Sequence, residues 1–182
     1  MFHLNTEQLI DYWRAQRGAD PVPRRASIDP TQILRLMPQL FMLGRLGPGQ
    51  YQFRLLGDFV TDLHSRDLRR ADFLDLWLAD DRISLQMALE AVRRRAEPLV
   101  VTCRAHAKSG RCMRMEMAMA PLSGSDGEPN RFLGLYQPIS PVADLMGDAA
   151  LSLSIHAITT PDTAAEAFPR LRLAATHGLR VG

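Results

Sequence analysis

The sharpest alternation of apolar and polar positions in the chain lies at residues 99–122, LVVTCRAHAKSGRCMRMEMAMAPL. Leu99, Val101, Cys103 and Ala105 stand at every second position, and so do Met113, Met115, Met117 and Met119. A period of two belongs to a strand with one buried face. Lys108-Ser109-Gly110 separates the two runs. A three-residue hairpin loop favours a left-handed residue at its third position, which suits Gly110. That turn sets the register: Ala105 faces Met113, Cys103 faces Met115, Val101 faces Met117 and Leu99 faces Met119. The opposite face then carries Thr102, Arg104 and His106 against Glu116, Arg114 and Cys112. A slip of one residue would mix the two faces, so the pairing is well specified. Arg104 and Glu116 become diagonal neighbours on the wet face, close enough to pair there for little net stability.

The rest of the chain resolves into helices and three further strands. TEQLIDYWRAQR (6–17) has the two faces of an amphipathic helix, with Thr6 as its N-cap and Gly18 and Pro21-Val22-Pro23 stopping it. Asp29-Pro30 opens a short helical turn through Leu36. LFMLGRL (40–46) and YQFRLLG (51–57) form a hairpin around Gly47-Pro48-Gly49-Gln50, with Tyr51, Phe53 and Leu55 sharing a face. Short helices are expected over 58–64 and 73–78. Residues 80–95, DDRISLQMALEAVRRR, carry the strongest helical signal, with acids in the first turn and arginines in the last. Ile83, Met87 and Val92 lie near one stripe, with Leu85 and Leu89 beside it. Pro98 precedes a strand over 99–107, and RFLGLYQ (131–137) supplies the last one. The order predicts an α+β domain over residues 1–140, with a five-stranded antiparallel sheet and helices packed on one face. Residues 141–182 form a C-terminal extension with no assigned structure.

Composition narrows the function classes. The 182 residues are 46% hydrophobic and 23% charged, as in a soluble globular protein. No apolar run approaches the ~20 residues of a membrane span. MFHLNTEQLIDYW lacks the pattern of a secretory signal, so a cytoplasmic protein is expected. Two cysteines are too few for a disulfide framework. Net charge is +2, and the short clusters Arg24-Arg25, Arg69-Arg70 and Arg93-Arg94-Arg95 are scattered. A nucleic-acid partner calls for a continuous basic stripe, so none is expected. His3, His64, His106, His156 and His177 lack metal-ligand spacing, and no metal is expected. His64, after a helical stretch, is the one histidine that merits mutation. The chain shows no nucleophile elbow, phosphate loop or dinucleotide fingerprint, so no catalytic residue is assigned and an enzyme is not expected.

The methionine row admits three uses. It can be plain core. It can be the wall of a pocket for a varied ligand, since methionine adapts to what lies against it. It can hold a soft metal with help from Cys103, although one strand face spreads its side chains about 7 Å apart.

Six stretches follow one another at fitting spacing: DYWRAQR (11–17), PRRASIDP (23–30), MPQLFML (37–43), YQFRLLG (51–57), RDLRRADFLDLW (66–77) and APLSGSDGEPNRFLG (120–134). Together they resemble the PAS-type domain of unknown function found widely in bacteria, called PAS_5 or DUF1457, over residues 9–138. The resemblance implies a PAS fold and a sensory or regulatory module of bacterial signalling. Such a module binds a small molecule between sheet and helices, or pairs with itself and with signalling proteins. Haem or flavin follows from the resemblance alone, and the sequence itself requires no cofactor. The implied pocket takes Tyr51, Phe53, Leu55, Leu63, Trp77, Cys103, Met113, Met115 and Met117. The N-terminal helix resembles the flanking helix through which PAS domains dimerise, which makes Leu9, Tyr12 and Trp13 the expected face of a homodimer. The alternatives are a ligand-free interaction module and an enzyme of unknown type. One departure stands out: where the family has glycines beside the pocket, this chain has Ser65 and Arg70-Ala71.

Overall fold

The computed structural model describes residues 1–161. Helix α1 spans Leu4–Arg17 and begins two residues before the expected cap. The Nδ1 atom of His3 accepts the Asn5 N–H at 3.1 Å and caps the helix, while Thr6 is buried in its first turn. Asp29 caps the 3-10 segment Pro30–Gln39, as its position before Pro30 predicts, by accepting the Thr31 N–H at 2.9 Å. Helix α2 covers Asp58–His64, a 3-10 turn covers Phe73–Leu76, and helix α3 covers Ala79–Arg95.

The strands are β1 (Leu40–Gly47), β2 (Gln50–Leu56), β3 (Leu99–Ala107), β4 (Cys112–Leu122), β5 (Arg131–Pro138) and β6 (Ala150–Thr159). They form one sheet in the order β2-β1-β5-β4-β3-β6, antiparallel throughout. The α+β architecture stands, with six strands rather than five. The extra strand comes from the expected extension: β6 lies beside β3 and belongs to the domain. Residues 162–182, the rest of that extension, lie outside the described residues. Among those described, no helix is long and apolar enough to cross a membrane.

The register of β3 on β4 is the one read from the turn, from Leu99 opposite Met119 to Ala105 opposite Met113. The β1–β2 hairpin differs. A bulge at Arg54, which is skipped where Met42 and Leu43 pair with Leu55 and Phe53, changes the alternation, so Phe53 faces inward and Leu55 does not. Leu55 is 39% exposed, while Leu56 packs against the core.

The inner face is apolar throughout and the outer face over the part that helices cover, so the helices pack on two sides rather than one. The inner face is roofed by α2, the Phe73–Leu76 turn and α3. The outer face is covered by α1 and the Pro30–Gln39 segment, which bury Leu9, Ile10, Trp13, Ile33 and Leu36 against residues such as Val100, Ala118, Ala120 and Leu135. Leu9, Tyr12 and Trp13, expected at a dimer face, are therefore buried within their own chain. The Trp13 indole N–H donates to the Pro121 carbonyl at 2.7 Å, and the Tyr12 hydroxyl accepts the Asp29 N–H at 2.7 Å. An amphipathic helix needs an apolar partner, and the sheet's own outer face supplies it.

In α3 the buried stripe is Leu85, Ala88, Leu89 and Val92, while Ile83 and Met87 are exposed on the opposite side. Glu90 ties α3 to the hairpin by accepting hydrogen bonds from Arg45, Tyr51 and Arg93. Burial opposes its ionisation, but these three donors outweigh burial and hold its carboxyl below the usual range.

Ser65 (φ 48°) and Arg70 (φ 68°) keep left-handed backbone where the family uses glycine. A side chain in that region costs roughly 1–2 kcal/mol, and a glycine loses roughly 0.5–1 kcal/mol through the freedom of the unfolded chain. Arg70 is exposed. Arg70→Gly is therefore expected to stabilise the chain by about 0.5–1 kcal/mol and to raise the melting temperature by about 2 °C. A lowered melting temperature would mean that the Arg70 side chain supports the loop.

Candidate functional site

The inner core is where the expected pocket residues meet. Tyr51 and Phe53 from β2, Leu63 from α2, Trp77 after the 3-10 turn, Cys103 from β3, and Met113, Met115 and Met117 from β4 are all buried in one cluster. Leu55 does not join them, because the β1–β2 bulge carries it outward. Cys103 and Met115 face each other across the strands. Burial pushes the Cys103 thiol up, so it stays protonated and is a poor ligand for a soft metal. Among the described residues no group of three or more His, Cys, Asp or Glu side chains is placed to hold a metal ion.

Aromatic rings form the floor under β1 and β2. Phe41 stacks on Phe73 with ring centres 5.7 Å apart and meets Phe53 and Tyr136 edge-on at 5.8 and 5.3 Å. Phe73 in turn meets the Trp77 ring at 5.8 Å. Trp77 is fixed by its main chain, which bridges Leu153, and the following Leu78 N–H donates to the Leu153 carbonyl at 2.9 Å. Its indole Nε1–H is buried and has no hydrogen-bond partner among the described residues. A buried donor left unmade costs about 1–3 kcal/mol.

Two features of this core were not assigned from the sequence. The first is the set Ala150, Leu153, Ile155 and Ile158, which β6 adds to the wall beside β3. The second is His64. Its Nδ1 lies 2.8 Å from the Ala150 carbonyl and its Nε2 lies 3.3 Å from the Tyr136 hydroxyl. The pattern fits a neutral ring that donates from Nδ1 to Ala150 and accepts at Nε2 from Tyr136. Burial lowers the pKa of His64 to about 4, the Ala150 carbonyl opposes that shift, and the charge of Arg66 adds to it. Burial also holds the Tyr136 phenol well above its ordinary value. His64 thus links α2 to β5 and β6 through uncharged hydrogen bonds. Its position at the end of a helical stretch was the only sequence signal for it.

The arrangement is an apolar core with one unused donor and one satisfied polar link. It offers hydrogen bonding and adaptable apolar contact.

Solved structures with similar shape have low sequence identity to the chain. A LOV protein of Rhodobacter sphaeroides is 12% identical, over 65% of this chain and 72% of that one, with a TM-score of 0.47. The dark structure of the aureochrome1 LOV blue-light photoreceptor is 10% identical, over 64% and 86%, with a TM-score of 0.47. A blue-light activated histidine kinase of Erythrobacter litoralis is 12% identical, over 63% of this chain but 37% of that one, with a TM-score of 0.45. No curated protein matches the chain. The PAS domain family PAS_5 matches over residues 1–137, more than half of the 182, and the chain belongs to that family.

Proposed function

We propose that the chain is a cytoplasmic sensory module whose inner core receives a small apolar molecule bearing a hydrogen-bond acceptor. The unpartnered Trp77 Nε1–H carries this reading. An acceptor on the ligand, such as a carbonyl oxygen, would recover the free energy that the bare donor forfeits. The row Met113, Met115 and Met117 supports it as a wall that can reshape around a guest. The module would then act by contact with a signalling-protein partner or with a second copy of itself. Any such dimer would use a surface other than Leu9, Tyr12 and Trp13, which are occupied within the chain.

The test is native mass spectrometry of the freshly purified protein against its denatured mass, with Trp77→Phe prepared alongside. The expected result is a non-covalent adduct on the wild type that is largely lost from the variant. A clean sequence mass for the wild type would favour the ligand-free interaction module. An adduct retained by Trp77→Phe would remove Trp77 from recognition.

A further inference from the structure

Helix α1 covers only part of the outer sheet face. It lies over Ala118, Ala120 and Leu122 on β4 and over Leu133 and Leu135 on β5. Toward the other end of β3, β4 and β6 the described residues leave the same face uncovered. It presents Thr102, Arg104, His106, Cys112, Arg114, Ser152 and Ser154, none of them buried. Arg104 stands directly opposite Arg114 on one side and Ser154 on the other. His106 stands between Cys112 and Ser152, with its Nε2 2.7 Å from the Ser154 hydroxyl.

Among the described residues Arg104 and Glu116, diagonal neighbours on this face, form no ion pair. The Glu116 carboxylate is buried at the rim of this face and accepts the His3 N–H at 2.9 Å. Asp148, near the β3–β4 turn, is engaged by Ser109 and Arg111. Among the described residues neither Arg104 nor Arg114 has an ion-pair partner. Like charges directly opposite on adjacent strands destabilise a sheet. Two exposed arginines at directly opposed strand positions put two guanidinium groups within reach of one carboxylate, whose two oxygens suit such donors.

We infer that this open half of the outer face docks an acidic segment of a partner protein, with a carboxylate of that segment seated between Arg104 and Arg114. His106, Ser152 and Ser154 supply further polar contacts around it. The footprint favours protein over nucleic acid, because two arginines neutralise far fewer than the roughly 6–10 phosphates that carry duplex binding.

A fluorescein-labelled decaglutamate peptide, followed by anisotropy against the full chain, tests the inference. Arg104→Glu with Arg114→Glu is expected to weaken binding at least about ten-fold. Arg94→Glu with Arg95→Glu, the same charge change on exposed residues of α3, is expected to stay within about two-fold of the wild type. Equal losses in both variants would reduce the effect to bulk charge and overturn the inference, as would no loss in the first. Tighter binding of a short DNA duplex, lost in the same variant, would replace the acidic segment with nucleic acid. The single variant Arg104→Glu guards against a folding artefact. It converts a repulsive cross-strand pair into an attractive one and is expected to raise the melting temperature by about 2 °C while weakening peptide binding. A fall in melting temperature would overturn the proposed repulsion.

Discussion

Gly134→Ala is expected to destabilise the protein by about 3 kcal/mol and to lower its melting temperature by roughly 6–12 °C. Gly134 lies in β5 directly opposite Phe41 in β1. A Cβ at this position would fall 2.1 Å from Cζ of Phe41. The Phe41 ring has no room to withdraw, being fully buried between Phe53, Phe73 and Tyr136. The backbone is not the obstacle, since Gly134 is not among the glycines with positive φ. The cost is therefore one of overpacking, and it should couple to the ring that causes it. Phe41→Leu alone should also destabilise, but the double variant should be more stable than the sum of the two losses. Urea unfolding of the four proteins measures that coupling. Strict additivity would show that the ring over Gly134 is not what excludes a side chain.

The register of β3 on β4 was legible because two independent signals agreed: the glycine at the end of the turn and the strict separation of polar from apolar positions. Where only one signal was present, the reading failed locally. Tyr51, Phe53 and Leu55 alternate, but β2 bulges at Arg54, which is skipped where Met42 and Leu43 pair with Leu55 and Phe53, and no glycine or other residue signal marks that bulge. Strand β6 was missed for a similar reason. It has register shifts between Thr102 and Cys103 and between His106 and Ala107 of its partner, so its inward residues Ala150, Leu153, Ile155 and Ile158 do not keep a period of two. The apolar side of α1 was seen, but an amphipathic pattern does not say whether its partner is another chain or the same sheet. Ile83 and Met87 are apolar at helical spacing, yet the narrower stripe Leu85, Ala88, Leu89 and Val92 is the one that α3 buries. Of the nine residues expected to line a pocket, eight lie together in one buried cluster, chiefly because strand alternation was legible, and Leu55 is displaced. The polar pieces of that site, the Trp77 donor and the His64 link, depend on which chain segments end up beside them. Those neighbours, Leu153 and Ala150, both come from the strand that alternation did not reveal.

Lowering the pH from about 6.5 to about 4 is expected to remove about 3 kcal/mol of stability through His64 alone. Burial is the main cause of its lowered folded-state pKa of about 4, against an ordinary value of 6.5. The unfolded imidazole takes up its proton near pH 6.5, whereas the folded one resists until near pH 4. Between those values the unfolded chain binds more protons, so acid favours unfolding. The stabilisation is complete above pH 6.5 and is lost as the pH falls toward 4. Glu90 adds to the acid loss only at the lower end, because its carboxyl sits below the usual carboxylate range. His64→Gln separates the two, since an amide can donate to Ala150 and accept from Tyr136 without titrating. Urea unfolding should give a wild-type stability that falls steeply between those pH values and a variant curve that is flatter. Parallel curves would assign the acid sensitivity to other groups. A proton on Nε2 also removes the acceptor that the Tyr136 hydroxyl uses. The strain then falls on the joint between α2, β5 and β6, so amide exchange in β6 should accelerate at acid pH before exchange in β4 does.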